Sequence, residues 1–216
     1  MITKYGYDVV AVVMLIVIIG SLLSWYIIEW KLVRFGVTGL LLLFFVFTLA
    51  FFRDPDRLTP PGQDLVIAPA DGKVILIKNV QDEEYLLGEA VQVSIFMSPA
   101  DVHVNRFPVT GRVEYFRHFP GEFFAAYQDK ASLGNEQTHI GISSNGGKVL
   151  VKQIAGFIAR RIVSHVSVGD RTVAGARFGM IKFGSRVDVV LPIGAALKVK
   201  LGERTRAGET VVAALS

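Results

Sequence analysis

The chain has 216 residues, 51% of them hydrophobic, with a mean hydropathy of +0.46 and no cysteine. That is too apolar for an ordinary water-soluble domain, and the lack of cysteine excludes a disulfide framework, a thiolate nucleophile and any cysteine-ligated metal. The net charge of +4 suits contact with anionic lipid headgroups but is too small and too scattered for a nucleic-acid-binding surface.

The apolar excess lies in residues 1–52. Residues 9–28 carry no charge and match the roughly 20 residues needed to cross a hydrocarbon core. Residues 35–52 form a second uncharged run, near the lower limit for spanning. Glu29, Lys31 and Arg34 separate the two runs, with Trp25, Tyr26 and Trp30 at the boundary, where aromatic rings suit the headgroup layer. Two such runs in succession are too long for a cleaved signal peptide. They predict a transmembrane hairpin over 1–52, with helices at about 8–28 and 35–52 and both ends on one side. Lys4, Arg53 and Arg57 on that side nearly balance Lys31 and Arg34 in the link. The reading adopted puts the following domain on the cytoplasmic side of the cell membrane.

Residues 53–64, with Pro55, Pro60 and Pro61, read as a connector. From 65 to 216 the chain reads as strands punctuated by glycine. Candidates are 65–68, 73–77, 90–96, 111–116, 138–142, 148–154, 187–191, 196–201 and 210–215, several of them alternating with period two. Only 98–102 and 129–133 suggest short helices. The predicted fold is mostly β, an antiparallel barrel or sandwich behind the hairpin.

Between two strand-like runs stands Gly184-Ser185. Glycine before serine sets an unhindered carbonyl beside a hydroxyl, and strain at a tight turn with a nearby base would let the serine oxygen attack it. The ester so formed can eliminate, cutting the chain and leaving dehydroalanine, whose hydrolysis releases ammonia and leaves a pyruvoyl group. Such a carbonyl accepts amines and draws electrons, as a cofactor would. Gly-Ser is also a common turn, so the dipeptide alone decides nothing. No metal cluster, P-loop or dinucleotide fingerprint is present.

The base for such chemistry would be a histidine, and there are four. His103 follows a strand and a Ser-Pro turn, with Asp101 two residues before it. His118 precedes Pro120-Gly121 between aromatics and is the alternative base. His139 falls in a strand and reads as structural, and His165 follows Arg160-Arg161 and reads as a surface residue.

Phe183-Gly184-Ser185-Arg186-Val187-Asp188-Val189-Val190-Leu191-Pro192 and the upstream Arg177-Phe178-Gly179-Met180-Ile181 resemble the processing region of phosphatidylserine decarboxylases. So do Phe52-Arg53-Asp54-Pro55, Pro69-Ala70-Asp71-Gly72-Lys73-Val74, Ser98-Pro99-Ala100-Asp101-Val102-His103, Pro120-Gly121-Glu122-Phe123 and Ile158-Ala159-Arg160-Arg161-Ile162-Val163. The order and coverage fit the short branch of the family. The resemblance implies cleavage between Gly184 and Ser185 into fragments 1–184 and 185–216 that stay together. It also implies a covalent pyruvoyl group from Ser185, and conversion of phosphatidylserine in an anionic membrane to phosphatidylethanolamine and CO2. A homo-oligomer is compatible with it.

By the same resemblance Asp71 pairs with a histidine and Ser185 as a relay for self-cleavage, although Pro-Ala-Asp-Gly would suit any type I turn. One departure bears on the base. The longer branch has two histidines three apart after the Ser-Pro turn, the second in the relay and the first linked to decarboxylation. Here only His103 stands, and the second position is Arg106. Either His103 serves both steps, including return of a proton to carbon, or another histidine such as His118 supplies the base. Phe96, Met97, Phe123 and Phe124 are candidates for a pocket wall, or simply core. Arg106, Arg160 and Arg161 are candidates for the lipid phosphate, or a solvated face.

Other readings survive at this stage. An ether-linked serine phospholipid would serve equally as substrate. A biotinyl or lipoyl carrier would carry its modification on Lys182 or Lys130. A hydrolase would use Ser185 directly but lacks the nucleophile elbow, and a noncatalytic β domain would show no cleavage.

Overall fold

The computed structural model describes residues 1–121, 134–156, 162–182 and 185–215, and it falls into two compact units, Met1–Pro55 and Asp56–Ser216. In the first, α1 (Tyr7–Ile27) and α2 (Lys31–Phe51) are both long and apolar enough to cross a membrane. They form an antiparallel pair. Near the loop Ser24 Oγ lies 3.3 Å from Thr38 Oγ1, and the Trp25 and Phe35 rings meet edge-on. Arg34 closes the loop by donating to the Ile28 carbonyl and stacking on Trp25. At the other end Thr3 N donates to Phe52 O and Asp54 N to Met1 O. α2 begins at Lys31, earlier than the charge-free run suggests, because Lys31 and Arg34 are accepted in its first turn.

The second unit is an antiparallel half-barrel. Its strands are β1 (Leu65–Ile67), β2 (Gly72–Asp82), β3 (Gly88–Met97), β4 (Val104–Arg106), β5 (Gly111–Phe119), β6 (Gln137–Ser144) and β7 (Gly147–Ile154). There follow β8 (Ile162–Ser164), β9 (Arg171–Thr172), β10 (Arg177–Ile181), β11 (Ser185–Pro192), β12 (Ala196–Leu197), β13 (Arg204–Thr205) and β14 (Val211–Ala214). The main sheet runs β13-β2-β3-β11-β7-β6-β5-β9, and β1-β14-β12 and β4-β10-β8 form two small sheets. Val93, Ile95, Val151, Ile140, Val187 and Val189 point from the main sheet into one continuous core with Phe107, Phe178 and Val212.

Residues 98–102 are a turn, not a helix. The Asp101 carboxylate accepts from Ser98 N and Ser98 Oγ, which satisfies the backbone locally in place of a helical ladder. The candidate helix at 129–133 lies outside the described residues. The polar segment after Pro55 packs on this unit. Asp56 pairs with Arg177, Arg57 with Asp71 and Glu209, and Leu215 N donates to Asp64 O.

Candidate active site

Ser185 opens β11, a strand held between β3 and β7. Alternation along a strand turns Ser185, Val187 and Val189 to the core and Arg186 and Asp188 to the other face. Ser185 is fully buried, lies directly across from Met97, and donates to Met97 Sδ at 3.4 Å. A thioether is a weak acceptor, so the hydroxyl is placed without being tied up. Phe96, one residue earlier, points to the opposite face and is half-buried. Of the aromatic and sulfur candidates Met97 meets Ser185 and Phe96 does not. Phe123, Phe124, Arg160, Arg161 and Gly184 itself lie outside the described residues.

Above Ser185 runs β4, paired with β10 so that Asn105 faces Gly179 and Val104 faces Met180. Asn105 Nδ2 approaches Met97 Sδ at 3.7 Å and the Pro69 carbonyl at 3.4 Å, while Asn105 Oδ1 accepts from Gln153 Nε2 at 2.8 Å. Gln153 stands on β7 across from Val187. His103, just before β4, is fully buried, and its Nδ1 lies 2.9 Å from the Asp101 carbonyl. A carbonyl only accepts, so Nδ1 carries the proton and Nε2 is the basic nitrogen. Asp101 is itself fixed by the Ser98 turn and by Arg204. Ser185, Asn105 and Gln153 thus gather beside Met97, and these three and His103, two residues before Asn105, all have zero exposure.

Asp71 sits in the turn between β1 and β2. A side chain at the next residue, Gly72, would put Cβ 2.1 Å from Phe96 O, so glycine lets this turn close onto β3. Asp71 Oδ1 accepts from Ala207 N at 2.7 Å and Oδ2 from Arg57 Nη2 at 2.9 Å. Burial pushes its carboxyl above the usual carboxylate range, against these two donors, and the negative charge of Asp101 adds to the upward push. The partners of Asp71 in this structure are Arg57 and Ala207, not a histidine or Ser185.

The other candidates lie apart. His118 is half-exposed on β5, three strands from β11 in the sheet order, and bonded to Glu136. His139, on β6, is held by Glu84 and Gln137, and burial holds its pKa down. It lines a pocket of about 390 Å³ on the outer face with Gln92, Lys152 and Asp188. His165 is exposed. Arg106 is buried, with Nη1 on the Gly175 carbonyl and its stem against Gly208.

The family model for phosphatidylserine decarboxylase matches residues 44–213. The chain belongs to the phosphatidylserine decarboxylase family. Its similarity to named members is high. It is 53% identical to the phosphatidylserine decarboxylase proenzyme of Chlorobium phaeovibrioides over 174 residues, 81% of this chain and 79% of that one. It is 42% identical to the proenzyme of Pelodictyon phaeoclathratiforme over 214 residues, 99% of both. With that of Symbiobacterium thermophilum it shares 46% over 171 residues, 79% of this chain and 80% of the other. The chain is therefore a decarboxylase, an enzyme of phospholipid synthesis.

Two residues beside Ser185 in this family member, Asn105 and Gln153, escaped the sequence reading. Gln153 ends a strand that reads as mostly apolar, Asn105 lies in a short strand that the pattern did not reveal, and the two are far apart in the chain. The available signal was parity. In Val149-Leu150-Val151-Lys152-Gln153 the glutamine falls on the same side as the two core valines.

Proposed function

We propose that the chain is a self-cleaving precursor that decarboxylates phosphatidylserine to phosphatidylethanolamine and CO2 at a pyruvoyl group made from Ser185. The observation that carries this reading is the placement of Ser185, fully buried at the head of a central strand, with a thioether as the partner of its hydroxyl among the described residues. The residues around it fit such a group. Asn105 and Gln153 are uncharged polar side chains at fully buried positions, and among the described residues Ser185 Oγ is bonded to Met97 Sδ.

In the cut, Ser185 Oγ gives its proton to a base and attacks the Gly184 carbonyl carbon. The Gly184–Ser185 C–N bond breaks, the nitrogen takes a proton, and an ester remains. Loss of the Ser185 Cα proton expels the Gly184 carboxylate and leaves dehydroalanine. Water then replaces the nitrogen and ammonia departs. His103 Nε2 is the base this site offers, since His118 stands three strands away. The family resemblance assigns Asp71 to the charge relay that supports it, although its partners here are Arg57 and Ala207.

A pyruvoyl carbonyl supplies an electrophile that takes a primary amine and draws electrons from a neighbouring C–CO2 bond. Burial of the site would weaken solvation of the departing carboxylate. His103 returns the proton to carbon. The hairpin keeps the site at the cell membrane beside its insoluble substrate, with the catalytic unit on the cytoplasmic side.

The test is the intact mass of detergent-purified protein beside Ser185→Ala, with CO2 release from phosphatidylserine vesicles. The expected result is two fragments split after Gly184, the smaller lacking an amine at its N-terminus, and one uncut, inactive chain for the variant. A wild-type chain that stays whole yet releases CO2 would overturn the pyruvoyl reading.

A further inference from the structure

We infer that Gln153 is a further catalytic residue: its side-chain oxygen receives the N–H of the substrate nitrogen once that nitrogen is bonded at position 185, and Asn105 is the positioning residue that aims it. The inference rests on the function proposed above.

The orientation of the two amides follows from one backbone group. The Pro69 carbonyl can only accept, so the Asn105 amide nitrogen faces it. Asn105 therefore presents its oxygen to Gln153, and Gln153 answers with its nitrogen at 2.8 Å. What is left over is an oxygen. Gln153 Oε1 is fully buried and has no hydrogen-bond partner among the described residues. A buried acceptor without a donor forfeits the hydrogen bond it had in water, and such atoms call for an explanation.

The placement supplies one. Gln153 lies across from Val187 and shares the core face with Ser185, two residues earlier on β11. Diagonal neighbours of this kind stand about 7–8 Å apart at the backbone, within reach of a long side chain. Asn105 also touches the sulfur on which Ser185 Oγ rests. Gly179 makes the room, since a Cβ there would stand 3.3 Å from Gln153 Nε2 and 2.3 Å from Val163 O. Gln153 Oε1 lacks a donor among the described residues, and a primary amine bonded at position 185 brings one.

The test compares wild type, Gln153→Leu and Gln153→Met, all as full-length chains in detergent. Four properties are measured: extent of cleavage by intact mass, melting temperature, kcat and KM on phosphatidylserine vesicles, and the rate at which phosphoethanolamine is captured on the 185–216 fragment by cyanoborohydride, read as a mass gain. The expected result is normal cleavage and a melting temperature lowered by no more than the loss of one buried hydrogen bond, because the substitution removes the unsatisfied Gln153 oxygen but leaves Asn105 Oδ1 without its donor. With them, kcat and capture rate should both fall about 10- to 100-fold, the scale of one hydrogen bond to a charged group. Asn105→Ala should show a smaller loss in the same two readouts.

Wild-type kcat and capture rate in either processed variant would overturn the inference while leaving the pyruvoyl reading standing. Loss of cleavage in both variants at the expected melting temperature would also overturn it, placing Gln153 in the self-processing step. Misfolding of both would overturn it in favour of a structural role. An uncut wild type would instead remove the reading beneath it.

Discussion

Asp71 is a carboxylate held at some expense to the fold. Its oxygens take the Ala207 amide and the Arg57 guanidinium, yet burial dominates and its carboxyl titrates above the ordinary range. A raised folded-state pKa means that the folded chain binds the proton more tightly than the unfolded one. The stabilising contribution is therefore complete below the unfolded value and is lost as pH rises through the folded one. At neutral pH the ionised Asp71 is no source of stability. Asp71→Asn keeps an oxygen for Ala207 N, and Arg57 retains Glu209, so the melting temperature at pH 7 should not fall. Self-cleavage should slow on the order of 100-fold or more, the usual scale for an impaired general base. In the wild type the acid limb of the cleavage rate should lie above the ordinary aspartate value of about 3.9, and the variant should lack it. Time courses of fragment formation between pH 4 and 8 measure both. A variant that cleaves at the wild-type rate would remove Asp71 from the relay.

β11 has two faces with opposite chemistry. Val187, Val189 and Leu191 fill the core, while on the other face Arg186 and Asp188, 1% and 2% exposed, are joined by Nε–Oδ1 and Nη2–Oδ2 contacts of 2.8 and 3.0 Å. Gln92 ties this pair to β3 through Asp188 Oδ2. Burial pushes the Asp188 carboxyl upward against its partner arginine, which shows that desolvation is the larger effect. Breaking a buried pair strands a charge, whereas replacing both partners is often harmless. In an uncleavable Ser185→Ala background, Asp188→Ala should lose about 3–5 kcal/mol, and Arg186→Met with Asp188→Leu should be neutral or up to about 4 kcal/mol more stable. Denaturant unfolding decides, and equal losses in both would show that the pair contributes net stability. The same strand marks the limit of what the sequence reveals. The run 187–191 read as a strand, but nothing local showed that Arg186 and Asp188 on its second face are buried. Their covering comes from residues distant in the chain, which a local pattern does not encode. For the same reason Gly184-Ser185 and His103 stood out as candidates from short motifs, while Asn105 and Gln153, brought together from β4 and β7, did not.

The place of 185–216 in the whole molecule decides what a cut after Gly184 would do. That segment supplies β11 between β3 and β7, β13 at the edge beside β2, and β12 and β14, with β14 paired to β1. Val187, Val189, Leu191, Val212 and Ala213 all belong to the common core. One peptide bond is lost, but the ladders and the core contacts on both sides of it persist. Separation would expose those side chains at roughly 25 cal/mol for each Å² of apolar surface and leave the open edges of β3 and β7 unpaired. The two fragments should therefore co-elute as one species on size exclusion in mild detergent and separate only on denaturation. Strand exchange would require global unfolding, so a tagged, separately made 185–216 peptide should not enter the cleaved enzyme under native conditions. Release of the small fragment in mild detergent, or ready uptake of the tagged peptide, would show that β11 is held far less firmly than its position between two strands implies.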